Sequence, residues 1–140
     1  MTWLRALSDT SLAWLAHLGA DPGDDEEMRS RKALLVYVAM LILPISLVWG
    51  GLYLALGTPA GVVALLYFAI SVASIGLFAR TRDFQLLLRI QLLAITLAPT
   101  LSMFPTGGFL ASGAVGLWGI LGPLGALVFG GVRAATRWYL

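Results

Sequence analysis

Four apolar stretches, each close to the length of a bilayer crossing, leave this chain few folds to choose from. They run over about residues 33–56, 60–79, 86–104 and 110–132, and a helix needs about 20 residues to cross the hydrocarbon core. Between them lie GTP (57–59), RTRDFQ (80–85) and PTGG (105–108). These are turn compositions too short to form domains, so consecutive spans are predicted to be antiparallel neighbours. Composition agrees, with 59% of residues hydrophobic, 11% charged and a mean hydropathy of +0.90. A soluble domain of 140 residues could not hide that much apolar surface, because small domains leave a large share of their surface in water. The predicted fold class is all-α, with four transmembrane helices in an antiparallel bundle. Residues 33–132 form the membrane domain, 1–32 an N-terminal tail and 133–140 a C-terminal end.

Charge orients the spans. Arg5, Arg29, Arg31 and Lys32 precede the first span, Arg80 and Arg82 lie between the second and third, and Arg133 and Arg137 follow the fourth. The turns after the first and third spans carry no charge. This alternation predicts a multi-pass protein of the inner (plasma) membrane with both termini cytoplasmic. Arg31, Lys32, Arg80, Arg82, Arg89, Arg133 and Arg137 are its expected cytoplasmic anchors. Arg89, with Gln85 and Gln91, gives the third span a polar cytoplasmic end. The arginine is expected to snorkel to the interface; an interhelical partner is the alternative. The net charge of +2 is too small to point to nucleic acid.

The N-terminal tail divides in two. Residues 2–18 carry Trp3, Trp14 and several leucines, which suits either a short interfacial amphipathic helix or a loosely ordered tail that touches lipid only at times. Without a basic start and a continuous apolar run, this segment is not expected to be a cleaved signal. In ADPGDDEEMRSRK (20–32) the acids come first and the cations last, an order that suits a helix dipole. Glu27 and Arg31 make an i, i+4 pair. Such a run before a membrane span reads as solvated, not catalytic.

The reactive inventory is short. There is no cysteine and one histidine, His17, so thiolate chemistry, cysteine-ligated metals and histidine clusters are not available. All 7 acidic residues lie outside the four spans. A proton relay or intramembrane cation site therefore lacks its usual ligand, which argues against an ion-coupled transporter. No catalytic residue, metal or cofactor is assigned. Pro44, Pro99 and Pro123 fall within the first, third and fourth spans, where each removes a helix hydrogen bond and predicts a kink. Ser46 is expected to help satisfy a carbonyl freed by Pro44. Trp49 and Tyr53, four residues apart, read as part of an interfacial aromatic belt, with a ligand wall as the alternative.

Near the C-terminal end, glycine falls at 113, 116, 119, 122 and 125 within GAVGLWGILGPLGALVFGG. The stretch lacks the lysine and hydroxyl of a phosphate-binding loop and the proline of collagen. On an α-helix each three-residue step lags by about 60°, so the five glycines would wind about 240° around it. A slim helix approached from several sides, and therefore central, is the expectation. Ser112, Gly116, Gly122, Ala126 and Gly130 are its predicted packing positions.

With those residues placed, the segment GGFLASGAVGLWGILGPLGALVFGGVRAATRWYL resembles the membrane region of certain bacterial class III adenylate/guanylate cyclases, as does DPGDDEEMRSRKALLVYVAMLILPISLVWGGLYLALG. The resemblance spans about residues 20–140 and rests on a hydrophobic pattern with a few anchors, such as the Trp-Gly-x-x-Tyr-x-x-x-Gly run that includes Trp49 and Tyr53. It implies a membrane anchor, dimerisation element or sensory input for cyclic-nucleotide signalling, working as a homodimer in the bilayer. In the family the catalytic domain follows the membrane helices and holds metal ions on two aspartates; nothing here matches those residues. The chain is thus expected to be a membrane module lacking the enzyme. The alternative is a free-standing small integral membrane protein, a transport or assembly subunit. Purified chain supplied with ATP or GTP and divalent metal is expected to form no cyclic nucleotide; measurable turnover would overturn the non-enzyme reading.

Overall fold

The computed structural model describes residues 23–137, and every regular element in that range is helical. Helix α1 is Glu26–Ala55, α2 is Ala60–Thr81 and α3 is Phe84–Met103; a 3₁₀ segment, Val115–Ile120, leads directly into α4, Leu121–Arg137. Four segments are long and apolar enough to cross a membrane, the last counted over Val115–Val132. The helix expected over 2–18 lies outside the described residues, as do the side chains of Arg133 and Arg137.

Local chemistry sets the boundaries. The Asp25 carboxylate accepts from the Met28 N–H at 2.8 Å, and Glu26 and Glu27 occupy the first turn, where negative charge meets the free N–H groups of the helix. At 30 residues, α1 rises about 45 Å against a hydrocarbon thickness of about 30 Å. Its charged opening turns can therefore stand clear of the lipid. Between α2 and α3 the chain reverses in two residues. Arg82 takes a left-handed φ of 56° and bonds back to the Phe78 carbonyl, and Asp83 caps α3 through the Leu86 N–H at 3.0 Å.

The fourth span departs from expectation in two ways. First, helical structure begins at Val115, not near residue 110. Residues 104–114 form a looped connection held by backbone bonds, Gly108 N–H to Met103 O at 2.9 Å and Ala114 N–H to Phe109 O at 2.9 Å. Its path needs φ values of +94° and +99° at Gly107 and Gly108, which side-chain-bearing residues rarely adopt. Second, Pro123 does not bend a continuous α-helix. It is the third residue of α4, in the first turn, where the missing N–H costs little. The interruption falls instead at Gly131, with φ 73° and ψ −177°. Pro44 and Pro99 do lie inside α1 and α3. The Ser46 hydroxyl donates to Leu43 O at 2.7 Å, not to the Met40 carbonyl whose usual partner Pro44 removes.

Each helix packs on the next in sequence, and α3 also carries the 3₁₀ segment. The buried apolar side chains gather toward the charged end: Leu35, Val36 and Ala39 from α1, Ile75 and Phe78 from α2, Phe84, Leu87, Leu88 and Leu92 from α3, and Ala126 from α4. Outward faces carry Leu41, Ile45, Val48, Leu66, Ile70, Leu93 and Leu97, a surface suited to lipid. At the uncharged end α1 and α2 touch backbone to backbone, since a Cβ on Gly61 would lie 2.5 Å from Gly50 O and 2.6 Å from the Leu54 side chain. Gly61→Ala is expected to lower stability by about 1–3 kcal/mol through overpacking. Gly76→Ala, which meets nothing within 4 Å, should be neutral or stabilising by up to about 1 kcal/mol. Unfolding of both variants in mixed micelles would separate the two sites.

Candidate ligand cavity

Toward the uncharged end the helices part around a cavity of about 380 Å³. Three helices and the segment before α4 contribute, and α4 itself does not. Helix α1 presents Trp49 and Tyr53, α2 presents Ala64 and Tyr67, α3 presents Pro99 and Ser102, and the returning 104–118 segment presents Ser112 and Trp118. No charged side chain lines it. Trp49 and Tyr53 share a face because four residues make about one helical turn, and their rings sit 5.9 Å apart at 34°. Ser102 donates its hydroxyl to Ala98 O at 2.8 Å, and Ser112 donates to Phe109 O at 2.9 Å. Deeper in, a second space of about 110 Å³ is walled by Leu35, Gln91, Leu121 and Phe129 among others. Ile42, Tyr67 and Ile95 line both spaces.

Beside that inner space lies a buried polar cluster. Gln91 Nε2 donates to Ser74 Oγ at 2.9 Å, Ser74 Oγ donates to Ser71 O at 2.9 Å, and Ser71 Oγ reaches Gln91 Oε1 at 3.4 Å. The cluster joins α2 to α3 and leaves no buried side-chain polar atom without a partner among the described residues. By sequence, Gln91 groups with Gln85 and Arg89 at a polar helix end. In the structure Gln85 and Arg89 are exposed while Gln91 is buried, because two residues along an α-helix is about 200° around it. The usable signal was the Ser-x-x-Ser spacing of Ser71 and Ser74, which sets two hydroxyls on one side of α2.

The charged end is tied across the chain. Arg31 Nη2 pairs with Glu27 Oε1 at 2.6 Å, and Nη1 donates to Phe129 O at 3.1 Å, close to where Gly131 interrupts α4. Lys32 Nζ meets Asp24 Oδ2 at 2.7 Å with both side chains largely buried. Arg80 and Arg82 are exposed. Among the described residues no group of three or more His, Asp or Glu side chains converges to hold a metal ion.

The glycine series is placed differently from expectation. Gly116 faces Met103, Gly119 faces Thr96 and Thr100, Gly122 faces Thr96 and Leu92, and Gly125 faces Leu92. All four turn one side to α3. Over Val115–Ile120 the 3₁₀ helix has three residues per turn, so a three-residue spacing stays in phase there instead of winding around. Ala126 is buried in the core, Ser112 sits in the loop at the cavity, and Gly130 is exposed. The segment is peripheral to the chain, with Leu117, Trp118, Leu124 and Val128 facing outward.

Comparison with protein-family models, with curated proteins and with solved structures gives no match. The buried cluster is testable directly. Gln91→Leu removes two interhelical bonds, each worth about 0.6 kcal/mol on average between membrane helices, so a loss of about 1 kcal/mol is expected in SDS-titration unfolding. Gln85→Leu, on the exposed side, should change nothing measurable.

Proposed function

We propose that the chain is a membrane anchor and sensory-input module, similar to those carried by class III nucleotide cyclases, folded as an antiparallel four-helix bundle with both chain ends at the cytoplasmic face. The hydrogen bond from Arg31 to Phe129 O is the observation that supports this most. It brings the start of α1 and the end of α4 together, at the end of the molecule opposite the cavity. That arrangement suits a device that receives a signal at one membrane face and delivers it at the other. The alternation of arginine and lysine with uncharged turns supports the orientation. A cyclase-type module acts as a homodimer; since Gly116, Gly122 and Ala126 are packed within the chain, pairing falls to the outward apolar faces.

Two measurements test the reading. The chain has no native cysteine, so single cysteines at Thr58, Thr106 and Thr81 can be probed on intact cells with a membrane-impermeant maleimide. Labelling at Thr58 and Thr106 but not at Thr81 is expected, and the reverse pattern would overturn the orientation. Fusing a class III catalytic domain after Leu140 should raise membrane-bound cyclase activity at least tenfold over the same domain expressed alone. No increase would favour a free-standing small membrane protein.

A further inference from the structure

We infer that the cavity of about 380 Å³ between α1, α2, α3 and the 104–118 segment binds a small neutral amphiphile, a molecule that is mostly hydrocarbon and carries a hydroxyl group. This names the input of the module proposed above and rests on that reading.

Size and lining come first. Ligand cavities run to about 300–1,000 Å³ and are lined mainly by apolar and aromatic groups with a few convergent polar ones. This one is walled by four successive parts of the chain, with Trp49, Tyr53, Tyr67 and Trp118 among its lining residues. It is open on one side, where Trp49 and Trp118 are half or more exposed, and its mostly apolar lining suits hydrocarbon better than water.

Charge narrows the class. No acidic or basic side chain lines the cavity, so an ionised carboxylate, phosphate or ammonium would be held without a partner in a medium where that is costly. A neutral ligand carries no such cost.

Hydrogen bonding narrows it further. Ser102 and Ser112 come from different parts of the chain, and each spends its O–H on its own backbone, at Ala98 O and Phe109 O. What each has left to offer is oxygen lone pairs. A ligand that bonds either oxygen must donate, and among neutral hydrocarbon derivatives an alcohol does so with its single proton. Ser102 is one residue from the end of α3, so the alcohol lies at the outer rim. The hydrocarbon then runs inward toward Ile42, Tyr67 and Ile95.

The experiment uses the chain with Trp3, Trp14 and Trp138 replaced by Phe, in phosphatidylcholine nanodiscs, so that only Trp49 and Trp118 report. Quenching is titrated with a bromine-terminated decanol, with bromodecane, with bromodecanoic acid and with a bromodecyl trimethylammonium salt, at matched membrane concentrations. Saturable quenching by the alcohol, at least tenfold tighter than by the other three, is expected. The double variant Ser102→Ala, Ser112→Ala should weaken the alcohol about five- to tenfold through loss of its one hydrogen bond and leave the alkane unchanged. Ala98→Phe, which fills the cavity, should abolish saturation. Equal quenching by alcohol and alkane would overturn the proposal, as would tighter binding of the acid or the ammonium salt. So would unchanged alcohol binding in the double serine variant, which keeps the proposal falsifiable if Ala98→Phe fails to fold. Binding is read on the chain without a fused enzyme, so its failure is distinct from failure of the maleimide or fusion measurements.

Discussion

Inside a bilayer every backbone N–H and C=O must find its partner within the protein, and that constraint organises the rest of this molecule. Helical structure covers most of the long apolar segments, and the longest irregular stretch, residues 104–114, lies between α3 and the 3₁₀ start of the fourth span. That connection carries its own backbone bonds and left-handed glycines, which suits a stretch emerging at a membrane surface. Near the interruption at Gly131, the Phe129 carbonyl accepts from Arg31. A cation that hydropathy reads only as an anchor thereby satisfies backbone at a broken helix. The same bond links the first helix to the last.

Once the helices are formed, lipid gives them little hydrophobic reason to associate, so close approach and polar contacts must do it. Both are visible, and they are distributed unevenly. Gly50 and Gly61 let α1 and α2 meet backbone to backbone, and the glycines of the fourth segment let it lie flat on α3. Gln91 fastens α3 to α2 through two serines. Large side chains fill the charged end, where Phe78, Leu87 and Val36 are almost fully enclosed. At the other end α1 spends its small face on α2, which leaves Trp49 and Tyr53 to line the opening beside it. The cavity is thus a consequence of where the chain put its small residues.

Hydropathy, turn composition and the spacing of arginines made the four spans legible, because each signal is local and additive along the chain. What escaped was register. On an α-helical period the glycine spacing winds around the axis, whereas Val115–Ile120 adopts the tighter period that matches it. Hydropathy starts the fourth span near residue 110 and so puts Pro123 mid-helix; the glycine-rich turn at 107–113 delays the start and leaves the proline in the first turn of α4. Gln91 was hidden by its neighbour Arg89, two positions away in sequence and on the opposite side of the helix. The cavity needs the mutual rotation of four segments, which no single segment encodes. Only the Trp49–Tyr53 pair hinted at it.

A ligand at the uncharged end matters to the other end only if it favours one arrangement of the helices over another, and then only by its difference in affinity for the two. Tyr67, Ile42 and Ile95 wall both the outer and the inner space, so filling the first loads the boundary of the second. The inner space also touches Gln91 and Phe129, and the Phe129 carbonyl is held by Arg31, which pairs with Glu27. Contiguity of this kind is a route and not a mechanism. The discriminating contact has to be one that exists in one arrangement alone. In the cavity that role falls to the pair of serine oxygens, because Ser102 rides on α3 and Ser112 on the returning loop. A ligand hydroxyl has one proton to donate, so it can share that proton between both oxygens only when those two parts are drawn together.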